Sequence, residues 1–269
     1  TTVSDYDPDE IKRKISLSTS LLPIEWQDHK INLLDVPGYP DFIGELYCAL
    51  RVVDAVVLVA PAQADLEVGF ENAWELCEER KLPRLIFVNK MERDGADYEG
   101  LLNTLRATYG NRVVPLQIPI GTQTQFSGVV DVLHQKAYRG KDRDITASEV
   151  PPELESKVAE AREMLMEAAA ESDDALLEKY LEGTPLTDDE LVHGFHEGLR
   201  SGRIVPVLCG SAALGIGLAP LLQAIIELAP SPVEAPKPVA RDPRNEGEIV
   251  VEPDPNAPLT AFVFKTTAD

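Results

Sequence analysis

The sequence predicts an α/β fold built on a doubly wound, mostly parallel sheet. Two observations predict it. Short, nearly all-apolar runs, DAVVLVA at 54–60, PRLIFV at 83–88 and IVPVLC at 204–209, have the unbroken hydrophobicity of strands covered on both faces. Segments whose apolar residues recur at helical period follow them, and strands alternating with helices build a parallel sheet.

The elements follow in chain order. ISLSTSLLPIEW, 15–26, is rich in β-branched and apolar residues and predicts a strand. KINLL, 30–34, is its partner across a Gln27-Asp28-His29 turn, and its apolar stretch is expected to be buried. Asp41 to Val53 spaces Phe42, Leu46, Ala49, Leu50 and Val53 for a helix. After the strand at 54–60 come a helix at 68–80, the strand at 83–88 and a helix at 96–109. The core of 1–112 then resumes at 203–230 with the strand at 204–209 and a helix at 218–228. Between them, 113–202 is an inserted α+β subdomain: short strands around Gly121 and Gly128, then a charged, Ala- and Glu-rich helical stretch from Pro151 to Arg200. Residues 231–258 are Pro-rich and acidic, as in a linker. LTAFVFK, 259–265, alternates like a strand and is expected to start a β-barrel domain over 259–269.

Composition excludes several classes. The 269 residues carry a net charge of −21, so the general field of the chain repels nucleic acid, and any RNA contact needs a local basic patch. No apolar run is long enough for a membrane span. The acidic start TTVSDYDPDE is not a signal peptide. Cys48, Cys77 and Cys209 form neither a CxxC nor a disulfide framework, so a reduced, cytoplasmic protein without a membrane partner is expected. His193 and His196 make an H-x-x-H without a carboxylate or cysteine partner, which favours a solvated helix face over a metal site.

Three short motifs carry chemistry, each at the carboxyl end of a predicted strand, where open α/β sheets bind ligands. In DVPG, 35–38, the Asp35 carboxylate suits a Mg²⁺ ion, and Gly38 lets its own N–H approach a terminal phosphate. In NKME, 89–92, an acid at the fourth position accepts from the ring N–H and exocyclic amine of guanine, a pair adenine lacks, and the Lys90 stem packs on the base. In CGSA, 209–212, the N–H of Ser211 or Ala212 suits the guanine carbonyl oxygen. Upstream, Arg13 to Leu17 has the makings of a mobile segment whose Ser16 hydroxyl ligates Mg²⁺.

With those motifs, residues 31–93 resemble the GTPase domain of the elongation factor G family. PLQIPIG with FSGVVDVL, then EKYLEG, IVPVLCGSA and LAPSPVE, are similar in the same order. The resemblance covers nearly the whole chain, including the long insertion between NKME and CGSA that elongation factor Tu lacks. It implies a P-loop GTPase domain using GTP, GDP and Mg²⁺. It implies Asp35 and Gly38 at Mg²⁺ and the γ-phosphate, Asn89, Lys90, Glu92, Ser211 and Ala212 at the base, Ser16 at the metal, and Ile15 as an apolar gate. It further implies a monomer whose hydrolysis is stimulated by the ribosome, through large-subunit RNA and stalk proteins.

The departures matter as much. No G-x-x-x-x-G-K-[ST] occurs in the chain. The family places it before the switch segment, so the chain is expected to be a fragment that binds GTP poorly by itself. Tyr39 stands where the family has the histidine that handles the attacking water; a phenol keeps its proton at neutral pH but can still orient water. Glu92 replaces an aspartate, and Lys14 and Ser16 replace a glycine and a threonine. A divergent paralogue of elongation factor G is expected, a ribosome-stimulated GTPase. The competing readings are a nucleotide-gated ribosome-binding factor with little hydrolysis, a release or resistance factor of the same superfamily, and a structural fragment without nucleotide.

Overall fold

The computed structural model describes residues 3–142 and 144–266. Residues 1, 2 and 267–269, the ends of the acidic start and of the expected β-barrel segment, lie outside the described residues. The chain divides into two compact units: Thr1–Leu22, Asn32–Asp54 and Pro230–Asp269 form the first, Pro23–Ile31 and Ala55–Ala229 the second.

The first unit begins with a helix the strand reading passed over, α1 (Pro8–Arg13). Asp7 caps it, Glu10 completes a capping box, and Pro8 occupies the first turn. The signal D-P-D-E was present in the sequence. The expected strand at 15–26 starts only at Ser20, as β1 (Ser20–Trp26). The Glu10 carboxylate accepts the N–H groups of Leu17 at 2.9 Å and Ser18 at 3.2 Å, which withdraws them from any strand ladder. β2 (His29–Asp35) pairs with β1 in a two-stranded sheet, of which Pro23–Ile31 are counted with the second unit. The apolar run expected to be buried there is not: Asn32 and Leu33 are exposed, because one neighbouring strand leaves most of a strand's surface uncovered. A 3₁₀ turn (Pro40–Phe42) leads into α2 (Ile43–Ala49). α2 stops short of the predicted Val53. Arg51 and Val52 donate to the carbonyls of Cys48 and Ala49, an i→i−3 pattern that tightens and ends the helix.

The second unit alternates β3 (Val56–Pro61), α3 (Val68–Arg80), β4 (Arg84–Asn89), α4 (Tyr98–Tyr109) and β5 (Val113–Pro115). An antiparallel sheet follows: β6 (Gln117–Ile120), β7 (Gly128–Asp131), β8 (Lys136–Lys141) and β9 (Asp144–Ser148), in that order. Then come α5 (Glu155–Ala170), α6 (Asp174–Leu181), α7 (Asp188–Ser201), β10 (Val205–Cys209) and α8 (Leu218–Leu228). The parallel sheet has the order β3-β4-β10-β5. Every residue of β10 is buried, as the run IVPVLC predicts. β3 differs. It is an edge strand, and Val59 is 56% exposed, although the apolar run predicts cover on both faces.

Strand alternation sorts the core into two layers. Leu85 and Leu208 join Leu165, Phe195 and Leu199 of the inserted helices in one cluster. Ile86 and Val207 join Phe70, Trp74, Leu101 and Leu105 in the other. The insertion therefore shares a core with the parallel sheet. Its helices pack backbone against backbone: a Cβ on Gly194 would sit 2.8 Å from the Ala169 carbonyl oxygen. His196, from the H-x-x-H, has its Nδ1 3.1 Å from the Leu228 carbonyl oxygen.

A charged triad fastens the inserted sheet to α8. His134 lies between Asp131, 3.0 Å from Nδ1, and Glu227, 3.1 Å from Nε2. Hydrogen bonds from the His134 ring to these two carboxylates outweigh burial and push its pKa up to about 10. A raised folded pKa contributes stability that is fully present below the unfolded value, about 6.5, and is lost as pH rises through about 10. His134→Gln is thus expected to lower the urea midpoint at pH 6 and to leave it nearly unchanged above the folded pKa; an equal deficit at both pH values would show that charge plays no part.

Back in the first unit, β11 (Val239–Arg241) and β12 (Glu248–Val250) form a short hairpin inside the expected linker. The predicted strand at 259–265 is not in a ladder among the described residues. Its Lys265 instead reaches the Ser18 hydroxyl, the Thr19 carbonyl at 3.1 Å and the Glu45 carboxylate at 2.8 Å.

Candidate functional site

The residues singled out by sequence fall into both units. In the first, Asp35 closes β2, Pro37 is buried, and Gly38 and Tyr39 are exposed at the turn into α2. A Cβ on Gly38 would meet nothing within 4 Å, so the backbone there is open to a large group. Tyr39 is 53% exposed. α2, one turn on, is tied to the upstream segment: Glu45 accepts the Thr19 N–H at 2.7 Å and the Lys265 ammonium. Burial alone would raise the Glu45 pKa, but these donors outweigh it and hold the carboxyl below its ordinary value.

That upstream segment carries Ile15, half-buried, and Ser16. The Ser16 hydroxyl donates to Asp5 at 2.8 Å. The substitution Lys14 now has a structural setting. It ends α1 in the left-handed region, φ 57°, with its N–H on the Glu10 carbonyl. Glycine is favoured at such a cap, and a lysine there costs about 1 kcal/mol. Sequence reasoning missed Glu10, which organises the segment by accepting from Leu17 and Ser18.

In the second unit, two loops at the carboxyl ends of β4 and β10 are stitched together. Asn89 Oδ1 accepts the N–H groups of Lys90 at 2.8 Å and Ala212 at 3.0 Å. Met91 donates to the Gly210 carbonyl, and Gly210 to that of Val88. The loop after β10 closes on itself: Ser211 and Ile216 exchange N–H···O bonds at 2.9 and 3.1 Å, and the Ser211 hydroxyl accepts the Leu214 N–H. Both N–H groups that the sequence offered to a guanine carbonyl are therefore engaged within the protein. Lys90 is exposed, with a left-handed backbone (φ 64°) that turns the chain off the strand. Glu92 holds the informative atom. Its Oε2 is buried and has no hydrogen-bond partner. A carboxylate oxygen removed from water without a donor is costly, so it fits a ligand that brings one.

A cleft of about 320 Å³ at the ends of β3 and β4 is lined by Gln63, Glu67, Lys90, Arg93 and Asp94, among others. A larger one, about 450 Å³ beside Arg112 and Arg203, lies at the opposite, amino ends of β5 and β10. Ligands of open α/β sheets sit at carboxyl ends, which favours the smaller cleft. Among the described residues no three or more His, Cys, Asp or Glu side chains gather to hold a metal ion, and no helix is long and apolar enough to cross a membrane.

The family described as the elongation factor Tu GTP binding domain matches residues 1–231. Elongation factor G of Thermotoga neapolitana is 37% identical over the whole chain, and that of Thermotoga petrophila is also 37% identical. The chain spans 39% of the length of each. A crystal structure of a Thermus thermophilus protein superimposes with a TM-score of 0.82 at 39% identity, over 90% of this chain and 37% of that one.

Proposed function

Because the chain belongs to the elongation factor Tu GTP-binding family, with elongation factor G as its relative, we propose that it carries the phosphate sensor and base reader of a factor that hydrolyses GTP on the ribosome. The observation behind the base reading is the buried, unpartnered Glu92 oxygen beside the braced Asn89 and Ser211 loops. Guanine offers two donors to a carboxylate there. Adenine presents an unprotonated ring nitrogen instead, which leaves the charge unpaired. With Asn89 Oδ1 occupied by two backbone donors, the remaining amide NH₂ suits a ring acceptor such as purine N7. An amide of Ser211 or Ala212 that serves the guanine carbonyl has to share its present bond.

In the first unit, Gly38 offers its N–H to the γ-phosphate, and Asp35 and Ser16 supply oxygen donors. Mg²⁺ sites of nucleotide enzymes commonly use one or two protein oxygens with the substrate's own phosphates, so no dedicated acidic cluster is required. The ion, when bound, neutralises charge on the phosphate oxygens. Ser16 would hold it by exchanging its bond to Asp5. Tyr39 orients the attacking water by hydrogen bonding, and Ile15 contributes to the apolar screen around it. The partners are the ribosome's large-subunit RNA and stalk proteins, met by a monomer in the cytoplasm.

Phosphate release with and without ribosomes tests the proposal in a protein carrying this chain. Ribosomes are expected to stimulate hydrolysis, and Tyr39→His to raise the stimulated rate, since a positioned acid–base group contributes roughly 10²- to 10⁴-fold. A fall in rate on that substitution would overturn the role given to Tyr39. Ribosome binding without hydrolysis in either protein would support the competing reading, a nucleotide-gated binding factor.

A further inference from the structure

The parallel sheet contains a break in its ladder, and a side chain fills it. β10 pairs with β5 in the register Val205↔Val113, Val207↔Pro115. In that register the Val205 N–H donates to the Arg112 carbonyl at 2.7 Å. Continued by four residues, the ladder would give the Cys209 N–H to the carbonyl of Leu116. That carbonyl is already taken by the Val132 N–H at 3.0 Å, because the chain leaves the sheet at Leu116 to enter the antiparallel sheet of the insertion. Cys209 is fully buried, so its N–H needs another acceptor. The Gln117 side chain supplies it: Oε1 accepts from Cys209 at 3.2 Å. Gln117 is itself 1% exposed, and its own carbonyl accepts the buried Tyr98 hydroxyl at 2.7 Å.

Cys209 is the last residue before the Gly210-Ser211-Ala212 loop. A second contact from the same sheet reaches the far side of that loop. At the turn joining β8 and β9, the Asp142 N–H donates to the Gly215 carbonyl at 2.8 Å. The approach is close: a Cβ on Gly215, whose φ is +69°, would lie 2.3 Å from the Asp142 carboxylate. The loop is thus held at its entry by Gln117 and near its exit by the Asp142 turn, both belonging to the inserted sheet.

We propose that Gln117 and the Asp142 turn are positioning residues for base recognition, through which the inserted sheet sets the geometry of the Ser211–Ala212 loop. This rests on the guanine reading of that loop. A partner or substitution that displaces the inserted sheet then changes affinity for guanine without touching the nucleotide.

The test uses the whole chain, amide hydrogen exchange and nuclear magnetic resonance titration with guanosine and with adenosine. Gln117→Met removes the acceptor at similar volume. It is expected to raise exchange at Cys209, Ser211 and Ala212 by about tenfold or more, the effect of an unsatisfied buried donor, and to weaken guanosine binding by a similar factor. Gly215→Ala, which acts on the second contact, is expected to move the same amides even if Gln117→Met fails to fold. Unchanged exchange and binding in the variants overturn the proposal, as does an exchange rise spread evenly over β4 and β10. A wild-type chain with no preference for guanosine overturns the guanine reading instead, while the exchange data still decide whether the sheet braces the loop.

Discussion

Trp74→Ala is expected to destabilise the second unit by about 3–5 kcal/mol, the range for deleting a large buried aromatic side chain. Trp74 is 3% exposed, and its ring stacks on Tyr109 with centroids 3.8 Å apart. Two guanidinium groups also lie over it, Arg84 at 4.3 Å and Arg112 at 5.0 Å. Both share the Glu78 carboxylate. Arg84 is almost fully buried, and its Nε and Nη1 have no hydrogen-bond partner. Burial holds its pKa below the ordinary arginine value. The indole face is therefore part of what compensates that charge. Its removal leaves a cavity and a less compensated cation together, and the two costs fall on the junction of α3, β4 and α4. Urea unfolding followed by circular dichroism reads the loss. Trp74→Phe, which keeps a ring for both neighbours, is expected to recover much of it. A loss below about 1 kcal/mol for Trp74→Ala would mean that the site collapses freely and that the cation contacts carry no weight.

Glu92→Gln is expected to weaken guanine nucleotide binding by roughly 10- to 150-fold. The amide keeps one acceptor but turns a donor toward a donor, and hydrogen bonds to a charged group contribute about 1.5–3 kcal/mol each. Selectivity over adenine nucleotides should fall at the same time, because the proposed discrimination rests on the carboxylate. Competition titration of a fluorescent guanine nucleotide with GDP and ADP measures both. Because Glu92 Oε2 is buried without a partner, the substitution is also expected to leave the unliganded protein as stable as before or more so. Lost stability with intact guanine selectivity would show that Glu92 has a structural partner instead of a ligand.

The candidate motifs were legible because each is local: DVPG, NKME and CGSA are short runs that begin at the carboxyl ends of β2, β4 and β10. β4 and β10 were legible for the same reason. The failures have a common cause. Val59 of β3 and Leu33 of β2 are as apolar as the residues of a covered strand, yet both are exposed, since cover depends on which strands lie alongside. The segment around Ile15 and Ser16 looked like a strand because β-branched residues favour one. Glu10 overrode that preference by taking two backbone donors, although the D-P-D-E cap that places Glu10 was plain in the sequence.

The order of the motifs, the alternation of strands and helices, and the residue types proposed for phosphate and base can all be read along the chain. These depend on neighbours along the chain and on periodicity. What those residues have left to offer a ligand depends on the folded neighbours of each. Asn89 has its oxygen occupied by two backbone donors, Ala212 has its N–H engaged, Glu92 keeps a buried oxygen unpartnered, and Gln117 replaces a missing strand carbonyl. A hydrogen bond between residues far apart in sequence, such as Gln117 and Cys209, is set by where the sheet ends and the insertion begins. No local pattern encodes that, because the need for the bond arises only once the backbone is buried.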